Sequence, residues 1–184
     1  MLKKPDKNRL IFGVFLVILV GIAFMIFGHF KIPSWPAFLV MICFLETHMD
    51  KQKIPNILAG GLFGMANLIV IKYFIQFLAP YIGLEASVLL YMLIFIYAII
   101  GLGESLPIVL NNYAFLFFTI VGIVYKLPDF NLFLLMGVEL VGGAIFIAAI
   151  LGIIKIVTIM AIKRATKAAA LAQAQAAPAA QKAE

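Results

Sequence analysis

The sequence has very few of the residues that support metal, disulfide or acid-base chemistry. It contains one cysteine and two histidines in 184 residues, so disulfides within the chain, cysteine zinc sites and paired-thiol redox chemistry are excluded. Charged side chains make up only 12% of the chain. No nucleophile, base and orienting group occur at a recognisable spacing, and phosphate-binding loops and metalloprotease motifs are missing. We therefore expect no enzymatic activity, no cofactor and no metal site.

Apolar residues, by contrast, make up 65% of the chain, and its mean hydropathy is +1.16. A soluble domain of this size leaves about a third of its unfolded-chain surface in water, so this composition requires a lipid bilayer as solvent. The net charge of +6 comes from basic residues at the ends of apolar runs. This is the positive-inside pattern of membrane proteins rather than a nucleic-acid-binding patch.

The apolar runs predict an all-α integral membrane protein with six segments. They cover residues 10–30, 37–45, 55–78, 85–102, 107–125 and 130–162. A span needs about 20 helical residues, and the second run is less than half as long. We therefore expect the second segment to be short or broken. We expect the same of the fifth segment, because it repeats a short sequence of the second, as described below. The first run is too long for a cleaved signal peptide, whose apolar region has about 7–15 residues.

Basic residues predict the orientation of these segments. Residues 1–9 and 163–167 are strongly positive, and the loop 50–53 contributes Lys51 and Lys53 on the same side. An even number of crossings also puts both ends of the chain on one side. We expect residues 1–9 and the Ala-rich tail 163–184 to be cytoplasmic in a bacterial inner membrane.

Short echoes along the chain predict an internal duplication. The Lys-Ile-Pro-Asn of residues 53–56 is echoed by Lys-Leu-Pro-Asp at 126–129, and Ala-Phe-Leu occurs at 37–39 and 114–116 with nearly the same offset. Closely spaced glycines that favour helix packing follow in both halves: Gly60, Gly61, Gly64, Gly142 and Gly143. We interpret residues 10–80 and 84–162 as two three-helix repeats, inverted because each has an odd number of crossings. The alternative is that these common helix features coincide by chance.

Two polar residues are expected near the membrane midplane. Asn67 lies about 12 residues into the third segment, and Glu139 lies about 10 residues into the sixth from the opposite side, at 1.5 Å per residue. A carboxylate there costs about 2.5–3.5 kcal/mol on insertion scales, so Glu139 should face protein or water. It is the first candidate for the substrate path. The alternative for Glu139 is a protonated side chain that is hydrogen-bonded to a neighbouring helix. The alternative for Asn67 is a structural hydrogen bond between helices.

Weaker candidates for the substrate path lie nearer the ends of the short segments. Glu46, His48, Asn111 and Asn112 predict a polar inner mouth, with a solvated loop as the alternative for the first two. Thr119, Phe38 and Phe115 are candidates for the lining of a constriction, although lipid-facing aromatics are the commoner case.

The segment Ile32-Pro33-Ser34-Trp35-Pro36-Ala37-Phe38, the short second helix and the glycine-rich third helix resemble a family of small bacterial inner-membrane proteins with a domain of unknown function. The likeness covers about residues 10–155. That family has a glycine-rich connection where this chain has residues 46–50. Short helices bounded by proline in two halves also look like the plan of urea channels, by analogy.

These features favour a channel or transporter for a small polar solute, such as urea or an amide, ammonium or a small organic acid, with its path between two inverted repeats. The other class is a non-transporting membrane interaction subunit or scaffold, which explains the glycines but not Glu139. Six short helices enclose little volume, so we also expect a homo-oligomer in the bilayer.

Overall fold

The computed structural model describes residues 6–128 and 130–180, and the side chains as far as residue 170. The helices are α1 Lys7–His29, α2 Trp35–Glu46, α3 Ile54–Ile82, α4 Leu84–Leu102, α5 Asn112–Val124, α6 Leu132–Gly137 and α7 Gly143–Ala180. A 3₁₀ turn, Lys51–Lys53, precedes α3, and a π-helical turn, Val138–Gly142, joins α6 to α7. The described residues contain no strand, so the all-α prediction is confirmed. The predicted roles of Asp129 and of residues 1–5 and 181–184 lie outside the described residues.

Four stretches of helix are long and apolar enough to cross a membrane. They are Lys7–His29, Lys51–Ile82, Leu84–Leu102 and Leu132–Ala170, with 23, 32, 19 and 39 residues. The other two apolar helices, α2 and α5, have only 12 and 13 residues. At 1.5 Å per residue these are about 20 Å long, shorter than the ~30 Å hydrocarbon core. The chain is thus a membrane-spanning helical protein with two short helices among its long ones.

The third and fifth helices differ from their predicted bounds. The third was expected to end before Pro80, but α3 continues to Ile82 with Pro80 inside its last turn, where the proline cannot donate the backbone hydrogen bond of that turn. Gly83, with φ of 87°, ends it. The fifth was expected to begin at Pro107, whereas turns fill residues 103–110 and α5 begins at Asn112.

The sixth segment begins at Leu132 rather than at Phe130, and it extends beyond the predicted end at residue 162. Asn131 defines this start because its side-chain Oδ1 accepts a hydrogen bond of 3.0 Å from the backbone N–H of Leu134. Helix α7 continues through the start of the Ala-rich tail to Ala180.

By their contacts the residues form two compact units. One comprises residues 31–147 and contains α2 to α6, with the π turn. Its core includes fully buried side chains from three helices: Val40 and Phe44 of α2, Ile57 and Met65 of α3, and Phe117 and Val121 of α5.

The other unit comprises the described residues 6–30 and 148–180. Within it, Arg164 Nη2 of α7 donates a hydrogen bond of 3.3 Å to Asn8 Oδ1 of α1. No residue of α1 is buried, which suits a helix whose surface faces lipid along its length.

Candidate functional site

A fully buried carboxyl group lies in the unit of residues 31–147. The side chain of Glu139 is 0% exposed, and neither Oε1 nor Oε2 has a hydrogen-bond partner among the described residues. Buried polar groups are nearly always hydrogen-bonded, and each exception requires an explanation. Glu139 is the first-ranked site residue from the sequence, and its unused acceptors make it the centre of the candidate site.

The carboxyl group of Glu139 lies against α3 and α5. A Cβ built on Gly61 of α3 would stand 2.5 Å from Glu139 Oε1 and 3.1 Å from Phe117 Cε2 of α5. The missing side chain at Gly61 therefore makes the space that the carboxyl group occupies. Helix α2, which includes the buried Cys43, packs against the π turn that contains Glu139.

Glu139 lies within the π turn. The backbone N–H of Gly143 bonds to the carbonyls of both Glu139 and Leu140, and the turn spans Val138–Gly142. Single π turns within α-helices occur frequently at functional sites. Glu139 is seven residues beyond Leu132, the first residue of α6, which is about 10 Å along the axis at 1.5 Å per residue. It is therefore nearer to the start of its helix than the sequence predicts, because the helix starts later.

Glycines of α3 and α7 bring backbones into close contact. A Cβ on Gly64 would collide with the carbonyl oxygen of Ala114, and one on Gly60 with the side chain of Asn111. A Cβ on Gly143 would stand 2.8 Å from both methyl groups of Val40 in α2. Gly142, the remaining glycine of the predicted packing set, is half-buried at the end of the π turn.

Hydrogen bonds of the Asn111 side chain connect the start of α5 to the start of α3. Its Oδ1 accepts hydrogen bonds from the backbone N–H groups of Tyr113 and Ala114, at 2.9 and 3.1 Å. Its Nδ2 donates to the carbonyls of Asn56, Pro107 and Ile108, at 3.1, 2.9 and 3.0 Å. Both polar atoms of this predicted path residue are therefore bonded within the protein, and the neighbouring Asn112 is exposed.

Asn67 is buried, and both polar atoms of its side chain form hydrogen bonds. Its Oδ1 accepts a hydrogen bond of 2.7 Å from the hydroxyl of Tyr91 in α4, and its Nδ2 donates to the carbonyl of Phe63 at 2.8 Å. Tyr91 belongs to an aromatic cluster with Phe95 and Phe118. The bond between Asn67 and Tyr91 joins α3 to α4 and lies in a different region from Glu139.

The other predicted path residues are spread over the unit. Glu46 and His48 are exposed at the end of α2. The Phe38 ring packs 5.1 Å from that of Phe146. In a separate region, Thr119 donates a hydrogen bond of 2.8 Å to the carbonyl of Phe115, which packs on the aromatic cluster.

Phe117, which lies against the carboxyl group, was not singled out from the sequence. It belongs to the run Phe115 to Phe118, which gives no sign of which ring faces inward.

In chemical terms, the site offers two oxygen acceptors enclosed by apolar groups. It can accept N–H or O–H donors or hold a proton. No group of three His, Cys, Asp or Glu side chains within residues 6–128 and 130–170 is arranged to hold a metal ion.

Comparison of the chain with known protein families, with curated proteins and with solved structures found no match. The resemblance to a family of small inner-membrane proteins therefore stays a prediction.

Proposed function

We propose that this chain is a transport protein for a small polar solute, with Glu139 as the residue that binds it. The single observation that carries the proposal is the fully buried carboxyl group without a hydrogen-bond partner. An unsatisfied buried polar group costs about 1–3 kcal/mol, and more when charged. A cost of this size is understandable where a ligand periodically supplies the missing partners.

The chemistry of the site favours solutes that carry N–H groups. Carboxylate oxygens accept hydrogen bonds, so urea, short amides and ammonium offer what Glu139 lacks. A small organic anion would instead be repelled by an ionised Glu139. Phe117 and Gly61 lie directly against this carboxyl group, so a bound solute would take its place beside them. We therefore place urea-like amides and ammonium ahead of small organic acids.

The packing of the short helices supports the proposed inverted repeats. The Ala-Phe-Leu echo relates α2 to α5 by 77 positions, so that Val40 corresponds to Phe117. Gly143 faces Val40, and Gly61 faces Phe117. Gly61 and Gly143 thus occupy corresponding places on α3 and α7, 82 positions apart. In each case the short helix of one half packs on the last helix of the other.

A second pair of contacts has similar, although not identical, offsets. Gly64 meets the carbonyl of Ala114 in α5, while Phe146 packs on Phe38 in α2. Gly64 and Phe146 are also 82 positions apart, whereas Phe38 and Ala114 are 76 positions apart rather than 77. The offset of 82 also differs from the 73 of the Lys-Ile-Pro-Asn echo, so the two halves correspond only approximately.

The duplicated arrangement also accounts for the depth of the site. Gly61 and Glu139 each lie seven residues beyond the first residue of their helix, Ile54 and Leu132. In inverted repeats these two helices run in opposite directions, so the contact lies midway between their starts. Transporters of this plan bind their solutes near the midplane.

The proposed setting is a bacterial inner membrane with both ends of the chain in the cytoplasm, as the basic residues indicate. Assembly into a homo-oligomer belongs to the same proposal, since α1 has no buried residue and its surface is available to neighbouring copies.

Solute-induced swelling of proteoliposomes that contain the purified full chain tests this function. Urea, acetamide and ammonium are compared with glycerol and acetate at two pH values. We expect faster swelling with the N–H donors, and a loss of about tenfold or more in Glu139→Gln, because hydrogen bonds to charged groups are worth about 1.5–3 kcal/mol.

The matched control is Glu85→Gln, which makes the same chemical change at an exposed carboxylate of α4 and should leave the rate within about twofold. Folding of each variant is checked by circular dichroism and gel filtration. Equal rates for the wild type and Glu139→Gln would overturn the role of Glu139. If no solute causes swelling in well-folded wild-type protein, the transport proposal is wrong and an interaction subunit takes its place.

A further inference from the structure

A large groove lies in the unit of residues 31–147, away from Glu139. It has a volume of about 870 Å³ and is bounded by the second half of α3, the first half of α4 and the second half of α5. Most of its lining is apolar, including Ile71, Ile75, Val88, Phe118 and Ile123. This volume lies within the about 300–1,000 Å³ of sites for drug-sized ligands. It is far larger than an amide or ammonium ion requires.

A cation lies in this apolar groove. Lys72 lines it, with Gln76 one helical turn further along α3, and both side chains are exposed. Among the described residues no carboxylate forms an ion pair with Lys72, and that includes Glu85 in the first turn of α4. A second cation, Lys126, stands 5.6 Å over the ring of Tyr125, which also lines the groove.

Aromatic side chains indicate the level of the groove in the membrane. Tyr73, Phe77 and Tyr81 follow one another at four-residue spacing along α3, and they are 65%, 73% and 77% exposed. Exposed tyrosines near the end of a spanning helix are typical of the boundary between hydrocarbon and headgroups. Lys72 lies at the inner edge of this aromatic face, where a long side chain extends toward headgroup phosphates.

We propose that this groove binds one anionic phospholipid of the bilayer, with its phosphate on Lys72 and an acyl chain along the apolar lining. The unpaired ammonium group supplies the charge complement of a phosphate, which lysine binds as a point charge. Basic pockets between membrane helices bind phospholipid headgroups in this way. The groove thus combines an apolar body with one cation at the level of the headgroups.

Native mass spectrometry of the full chain tests the proposal, after transfer into detergent with equal amounts of phosphatidylglycerol and phosphatidylcholine. We expect one phosphatidylglycerol to be retained in preference to phosphatidylcholine. Lys72→Gln should reduce that preference by about tenfold, since the loss of a charge-assisted hydrogen bond is worth about 1.5–3 kcal/mol. The matched control is Lys155→Gln, an exposed lysine of α7 outside the groove.

A second variant tests the acyl-chain portion. Gly122 lines the groove, and a Cβ there would meet nothing within 4 Å, so Gly122→Leu fills the groove without disturbing the helix. It should remove the retained phosphatidylglycerol, whereas Gly152→Leu, at an equally open position in α7, should not. Equal losses in Lys72→Gln and Lys155→Gln would overturn the proposal, as would full retention in Gly122→Leu or occupation of the groove by a second copy of the chain.

Discussion

Two regions of the unit of residues 31–147 each bury a polar side chain, and they do so in opposite ways. Around Asn67 the amide bonds to Tyr91 of α4 and to a carbonyl of its own helix. Around Glu139 both oxygens are enclosed without a partner among the described residues. The first arrangement is what stability requires, and the second is unfavourable unless something else binds there. Burial alone does not separate structural from functional polar residues, whereas hydrogen-bond accounting does.

The largest expected effect is at the contact between α3 and α5, the two helices that contribute residues to both regions. Gly64→Ala pushes a methyl group into the backbone carbonyl of Ala114, where no side-chain rotation relieves the clash. We expect the free energy of unfolding to fall by about 1–3 kcal/mol, as for other overpacked cores. Unfolding in mixed micelles with increasing denaturing detergent measures this loss. Gly122→Ala is the control, because its added methyl group has open space and favours the helix by up to about 1 kcal/mol.

A smaller effect is expected at the other short helix. Gly143→Ala brings a methyl group to 2.8 Å from Val40, so a side chain rather than a backbone must yield. We expect about 1–2 kcal/mol of destabilisation. The double variant Gly143→Ala with Val40→Ala should regain part of this loss, because the second change makes room. Strictly additive losses would contradict the packing described here.

The polar contact around Asn67 should contribute about 0.6 kcal/mol, the average measured for hydrogen bonds between membrane helices, and at most about 1.7 kcal/mol. A double-mutant cycle of Asn67→Leu and Tyr91→Phe isolates this interaction energy from the cost of each single change. Solute flux should be unaffected in folded Tyr91→Phe protein. A coupling energy of zero would remove the distinction between the two regions.

The smallest effect on stability is expected at Glu139 itself. Glu139→Met retains a similar volume and removes two oxygens that have no partners, so the free energy of unfolding should fall by less than about 1 kcal/mol or rise. Solute flux should nevertheless be lost. A stable Glu139→Met protein that does not transport would support a functional role for Glu139, in contrast to the structural role of Asn67. A fall of several kcal/mol in the free energy of unfolding would instead show that Glu139 has a structural role.

Much of this architecture was predictable from composition and spacing. Long apolar runs predict the long helices, and the short run 37–45 predicts a short α2. The start of α5 was missed because proline is common in the first turn of a helix, so that Pro107 competed with Asn111, whose side chain is the true cap. The end of α3 at Gly83, beyond Pro80, depends on a positive φ that spacing does not reveal.

The candidate site was predictable only in part. A carboxylate in an apolar run marks Glu139 as a candidate, but its enclosure depends on Gly61 and Phe117, which approach from other helices. Asn111 and Asn67 are indistinguishable from path residues in the sequence, because only the fold shows that their polar atoms are occupied. The π turn is invisible to any analysis that assumes a period of 3.6 residues.

That turn has a consequence at the level of the gene. Deleting one codon within a membrane helix ordinarily rotates everything beyond it by about 100°, since 3.6 residues complete a turn. A π turn holds one residue more than the α-helix around it needs. Loss of a single codon between 140 and 142 therefore restores a regular α-helix and leaves the faces of α6 and α7 in place. The lesion would therefore be mild for folding, and any loss of solute flux in such a protein would report on the backbone beside Glu139 rather than on the packing of the helices.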